Sequence, residues 1–195
     1  MWGCLGRCGP RRPVAGEKLG LIHLVAIGSV EARLVEGLRE PLAEQFGCSV
    51  VVAQEVLPLP AGAYDARRQQ YRADPFVTAV HQWCARHSGK ALGVTEVDLF
   101  VPELNFVFGQ AEMGGSAAVM SLHRLRPEFY GGGPDAGLLG RRAATEAVHE
   151  VGHTFGLRHC GNPSCVMFFS NSIADTDRKG YRLCGDCRAR LPLAR

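Results

Sequence analysis

Residues 149–159 read His-Glu-Val-Gly-His-Thr-Phe-Gly-Leu-Arg-His. On an α-helix, residues four apart lie on one face, so His149 and His153 can offer imidazole nitrogens to a single ion. Glu150 cannot point the same way as both histidines. It leans instead over a water on that ion, close enough to take its proton. Gly156 can leave the helix through a left-handed conformation without a Cβ clash. That bend would swing His159 back as a third nitrogen ligand. Three protein ligands leave a fourth position open, which separates a catalytic zinc from a closed structural one. The pair of histidines around Glu150 is a weak signal alone; the added Gly156 and His159 make it specific. Thr145 and Glu146, in the preceding turn, need only helix propensity to explain them.

A second constellation follows at once. Cys160 and Cys165 precede a Cys184-Gly185-Asp186-Cys187 run, and two such pairs match the spacing of a four-thiolate zinc site. Asn162-Pro163 supplies the turn that the longer first pair needs. A zinc held there would tie the C-terminal segment to the end of the active-site helix and hold His159 in place. The other four cysteines are scattered. Cys4 and Cys8 read as incidental thiols, and Cys48 and Cys84 as small apolar residues.

These ligands need a scaffold. Leu19 to Ile27 is a continuous apolar run, as in a strand covered on both faces. Val30, Leu34, Leu38, Leu42 and Phe46 share one helix face, with a kink or break expected at Pro41. Cys48 to Val56 reads as a second strand, giving a parallel βαβ unit. A helix over Pro75–His87 is expected with Asp74 as its cap. Strands are expected over Val94–Val101, Asn105–Phe108 and Ala117–Leu122, the last two joined by a turn at Gly114-Gly115. Helix returns from about Gly140 to Phe155.

Residues 1–17 are rich in Gly, Pro and Arg and read as a flexible tail, with one catalytic domain over 18–195. Within it, an upper part runs to about residue 156 and a zinc-stapled part covers 157–195. A net charge of +3 with only scattered Arg pairs excludes a nucleic-acid surface of ordinary density. No segment approaches the ~20 apolar residues of a membrane helix. No secretory core is evident near the start. A cytoplasmic location is the expectation, where clustered cysteines more often bind metal than form disulfides.

The string from His149 through Met167 to Cys187 resembles the archaemetzincins, a minimal branch of the metzincin metallopeptidases. Weaker similarity reaches Asn105–Ala111 and Ser121–Leu125. The resemblance implies an α/β fold: a twisted mixed sheet with an antiparallel edge strand above the cleft, and two long helices behind it. It implies two zinc ions per chain: a catalytic one on His149, His153 and His159 with Glu150 as base, and a structural one on Cys160, Cys165, Cys184 and Cys187. Met167 would lie beneath the catalytic metal. A peptide or protein substrate would bind extended along the edge strand, with Asn105–Ala111 as the candidate, in a monomer without nucleic-acid or membrane partners.

Among other residues, His23 reads as a satisfied core histidine and His81 and His87 as helix surface. His123 lies near the presumed cleft, with a structural role favoured. Tyr130 is a candidate to hydrogen-bond the tetrahedral intermediate. Phe168 and Phe169 are expected to wall the site. Two rival functions stand beside the peptidase: a non-catalytic zinc module that binds partners, which an intact Glu150 argues against, and a zinc hydrolase of non-peptide bonds such as RNA phosphodiesters.

Overall fold

The computed structural model describes residues 20–192; the N-terminal segment containing Cys4 and Cys8 lies outside them. The apolar run forms β1 (Leu21–Ile27). The expected helix is split into α1 (Ala32–Glu36) and α2 (Arg39–Phe46), and the break falls at Gly37-Leu38, not at Pro41. The reason is steric. A proline ring collides with the carbonyl four residues back, here that of Gly37, whereas its missing N–H is harmless in the first turn of a new helix.

β2 (Ser49–Val52) then pairs in parallel with β1, Leu21 opposite Ser49, as the βαβ reading requires. Two very short strands follow, β3 (Tyr64–Asp65) and β4 (Gln70–Arg72), and then α3 (Asp74–Cys84). Asp74 is the first residue of α3, not its cap: its carboxylate accepts from Arg72 and from Gln110. Next come β5 (Lys90–Thr95), β6 (Leu99–Phe100), β7 (Gly109–Ala111) and β8 (Ala117–Ser121). The strand expected over Val94–Val101 is thus two strands in different sheets. Asn105–Phe108 is no strand, apart from a bridge between Val107 and Leu99. Two 3-10 turns lead to α4 (Ala136–Thr154), and α5 (Ile173–Lys179) and α6 (Gly185–Ala189) close the chain.

The main sheet has the order β2-β1-β5-β8-β7. Its first four strands are parallel, and β7 runs antiparallel to β8 at the edge. This is the mixed sheet with an antiparallel edge that the family resemblance implies. The small sheet β3-β4-β6 was not expected, because strands of two or three residues leave no periodicity to read. Strand residues alternate between two cores. Leu24, Leu92 and Met120 pack with Leu42, Phe46, Ala147 and Val151 from α2 and α4. Val25, Ala91 and Val119 pack with Phe76, Val80 and Trp83 from α3. No helix among the described residues is long and apolar enough to cross a membrane.

Leu92 lies on the central strand β5 and is fully buried between β1 and the helices. Truncation to Ala leaves a void that close-packed neighbours only partly fill. Leu92→Ala is expected to lower unfolding free energy by about 2–5 kcal/mol in a urea titration.

Candidate active site

Helix α4 carries the site. Its start is fixed by Asp135, whose side chain accepts from Leu138 N at 2.8 Å, and its last three turns are buried. His149 and His153 stand one turn apart. Their Nδ1 atoms each meet a backbone carbonyl at 2.7 Å, Val166 O for His149 and Leu157 O for His153. Each Nδ1 therefore carries the proton and donates it, leaving both Nε2 lone pairs free. Those two Nε2 atoms lie 3.2 Å apart.

The helix ends as the glycine reading requires. Gly156 takes φ +83°, its N–H donates to His153 O, and Leu157 N–H donates to Gly152 O. These two hydrogen bonds close a left-handed helix terminus and return the chain so that His159 faces the other two rings. One nitrogen from each histidine comes together within 4.8 Å. Zinc–nitrogen bonds of about 2.0–2.1 Å at tetrahedral angles need nitrogens about 3.3 Å apart, so the donor set fits a zinc ion. A strap holds the helix end: Gly114 N–H donates to His153 O, and Lys90 Nζ donates to Gly115 O and Thr154 O, both at 2.7 Å.

Burial depresses all three histidines below the ordinary range, His149 farthest, with the Lys179 ammonium adding to the effect. Neutral imidazoles are what a metal ligand set needs. Glu150 is pushed well above the usual carboxylate range by burial first and by the charge of Glu146 second, against the pull of Lys179. A dication held beside it would draw it back down.

Two glycines allow close approach around these groups. A Cβ on Gly109 of β7 would lie 2.5 Å from Glu150 Cγ and 2.6 Å from Val119 O; one on Gly152 would lie 2.5 Å from Met167 Sδ. Met167, fully buried, therefore packs against the helix between its two histidine turns, and its carbonyl accepts from Cys160 N–H at 2.9 Å. That bond links the histidine site to the cysteines. One sulfur each from Cys160, Cys165, Cys184 and Cys187 gathers within 4.8 Å. Cys160 and Cys184 sulfurs are 3.9 Å apart, close to the about 3.8 Å that tetrahedral zinc–sulfur bonds of about 2.3 Å impose. Backbone N–H groups of Asn162 and Cys184 point at the sulfurs of Cys160 and Cys165. The Cys184 thiol is lowered to about 7, first by the backbone N–H of Cys187.

A cleft of about 210 Å³ opens beside His149 and Glu150, walled by residues 104–109 on one side and Phe169–Asn171 on the other. Phe169 also sets its edge against His159, with centroids 4.9 Å apart, as expected of a wall residue; Phe168 does not line this cleft. The start of the wall is drawn away from the main sheet at the carbonyls of Leu104 and Asn105, while Phe108 O accepts from Ser121 N–H of β8. Arg68 donates to Leu104 O and Asn105 O, and Gln70 to Asn105 O. Tyr130 is not in the cleft: its hydroxyl donates to Arg124 O, and it packs on Phe129. His123 packs against Phe129. His23 is held by Ser88 O and Trp83, as a core histidine should be.

Two residues escaped the sequence reading. Glu146 is 2% exposed yet lines the cleft, so more than helix propensity accounts for it. Its partner is Lys179 of α5, whose side chain is wholly buried, with Nζ 3.4 Å from Glu146 Oε1 and 3.1 Å from Phe168 O. A polar residue on an otherwise buried helix face was the signal for Glu146. Lys179, in the polar stretch Ile173–Lys179, gave none.

Comparison with known proteins agrees with this geometry. The model of "Peptidase family M54" matches residues 80–192. An archaemetzincin of Pyrococcus furiosus is 48% identical, over 88% of this chain and 92% of its own; one of Methanocaldococcus jannaschii is 42% identical, over 87% and 92%. The crystal structure of archaemetzincin from Methanopyrus kandleri superposes with a TM-score of 0.78 at 35% identity, covering 92% of this chain and 97% of that one. That of a zinc-dependent peptidase from Methanocorpusculum labreanum gives 0.80 at 32%, covering 87% and 99%. Fold and site thus define a metallopeptidase. The chain belongs to the archaemetzincins, peptidase family M54.

Two outcomes follow from the packing and the titrations. Gly109→Ala pushes the Glu150 carboxylate out of place, and a displacement near 1 Å is expected to lower kcat about a hundredfold with zinc content unchanged by elemental analysis. Histidines depressed by burial stay neutral in the folded protein, while those of the unfolded chain protonate near 6.5. The unfolded state then binds more protons, so stability is complete above that value and lost as pH falls below it. Glu150, raised by burial, opposes this, with one proton taken up by the folded state against three histidines that resist protonation. Urea midpoints of the metal-free protein should still drop between pH 7 and 5, less steeply than the histidines alone would give.

Proposed function

We propose that the chain hydrolyses peptide bonds with zinc held by His149, His153 and His159, and that a second, structural zinc sits on Cys160, Cys165, Cys184 and Cys187. The observation that carries this reading is the convergence of two Nε2 atoms, both released by Nδ1–H bonds to backbone carbonyls, beside a carboxylate on the same helix at the mouth of a cleft. Zinc, when bound, supplies Lewis acidity for the attacking water and the scissile carbonyl. Glu150 takes the proton of that water and passes it to the leaving amine. Gly156 and Met167 support the histidines from the bend and from below.

The substrate lies extended along the free edge of the main sheet at β7, Gly109–Ala111, where backbone groups can pair with a peptide by strand addition. This trims the stretch expected from the sequence to its last three residues. Residues 18–195 act as one catalytic domain in a cytoplasmic monomer that binds peptide and neither nucleic acid nor membrane.

Glu150→Gln keeps the shape of the side chain but cannot accept the proton. Cleavage of a quenched fluorescent peptide library should fall by about 10²–10⁴ in kcat, with zinc content unchanged. Full turnover in that variant would remove Glu150 from the reaction.

A further inference from the structure

Glu146 lies one helical turn before Glu150. Its Oε1 is fully engaged, accepting from Thr176 Oγ1 at 2.8 Å and facing Lys179 Nζ at 3.4 Å. Lys179 is held in turn by Phe168 O. Oε2 has no protein partner among the described residues, and it is not sealed inside the protein; it meets the cleft that Glu146 lines. Leu104, Phe106, Val107, Phe108 and Phe169 form the apolar part of that cleft, and Asn105, Ser170 and Asn171 line it beside His149 and Glu150. The result is a slot with an apolar wall in which Glu146 Oε2 is an unpartnered acceptor, one helical turn from the Glu150 carboxylate.

We propose that this slot selects a tyrosine side chain next to the scissile bond, with its ring against the aromatic wall and its hydroxyl donating to Glu146 Oε2. The inference rests on the peptidase reading and names its substrate class. Three physical arguments choose the phenol. A purely aliphatic or phenylalanine side chain fills the walls but strips water from Oε2 and gives nothing back, which is the costly side of hydrogen-bond selection. A lysine or arginine would put a second cation on a carboxylate that the buried Lys179 ammonium already balances. A phenol supplies a flat apolar body and one neutral donor, and an aromatic side chain suits a cavity of about 210 Å³.

The test separates selection from turnover. Zinc-loaded Glu150→Gln protein is titrated by calorimetry with capped pentapeptides Ala-Ala-X-Ala-Ala, where X is Tyr, Phe or Lys. Tyr is expected to bind about tenfold tighter than Phe and tighter than Lys. In the Glu146→Leu/Lys179→Met background, which removes both charges together and avoids an unpaired buried ion, the Tyr/Phe ratio should fall to about one. Lys179 Nζ also lies 3.3 Å from His149 Nδ1, so the ratio is measured at saturating zinc with circular dichroism as the fold control. Equal or tighter binding of Phe in the parent, tightest binding of Lys, or a Tyr/Phe ratio that survives the double change would each overturn the proposal. If the Tyr preference holds but wild-type protein cuts none of the peptides, the slot stands and the peptidase reading falls.

Discussion

Two hydrogen bonds organise this molecule: His149 Nδ1–H to the carbonyl of Val166, and His153 Nδ1–H to the carbonyl of Leu157. An imidazole has one lone pair to give, and these bonds decide that Nε2 gives it. Neither carbonyl belongs to α4. Both lie beyond the bend at Gly156, so the histidines are aimed only when the chain has turned back on itself. The returning segment is held at several points: Cys160 N–H on Met167 O, Met167 against Gly152, and Lys179 on Phe168 O. The cysteine cluster sits at the base of this segment, and a metal there would lock the loop that aims the histidines.

The same economy shows in the charges. Lys179 is wholly buried yet faces a carboxylate and a carbonyl, and Arg142 is buried with Asp177 bonded to it at both oxygens and Leu125 O at a third position. Each pair joins α4 to α5. Breaking the buried Glu146–Lys179 pair by removing one partner costs about 3–5 kcal/mol, whereas Asp177 is exposed and its contact with Arg142 is worth less. Together they tie α5 to the site. Glu146 raises Glu150 and Lys179 lowers it, so the buried pair largely balances itself at the base of the cleft.

How much of this was legible in the sequence varies with the range of the interaction. Spacing along one helix made His149, Glu150 and His153 plain, and one glycine was enough to anticipate His159. The cysteine pairs were readable because their ligand spacing is local. The break of the first helix was foreseen but put at Pro41 itself, since the clash falls on the carbonyl four residues back. The β3-β4-β6 sheet was not legible, because two-residue strands exist only through their partners. Asn105–Phe108 looked like a strand by composition, yet Arg68 and Gln70 take the carbonyl of Asn105, and Arg68 that of Leu104, from across the molecule. Glu146 and Lys179 are 33 residues apart in the sequence, and nothing local announces that they meet.

Zinc K-edge X-ray absorption on purified protein, with zinc per chain counted on the same sample, addresses the two proposed metal sites most directly. Two zincs per chain are expected, with nitrogen or oxygen scatterers at about 2.0 Å and sulfur at about 2.3 Å. His153→Ala should leave one zinc surrounded by sulfur alone. A single zinc in wild type, or loss of the sulfur shell in His153→Ala, would contradict one open histidine site beside one closed cysteine site.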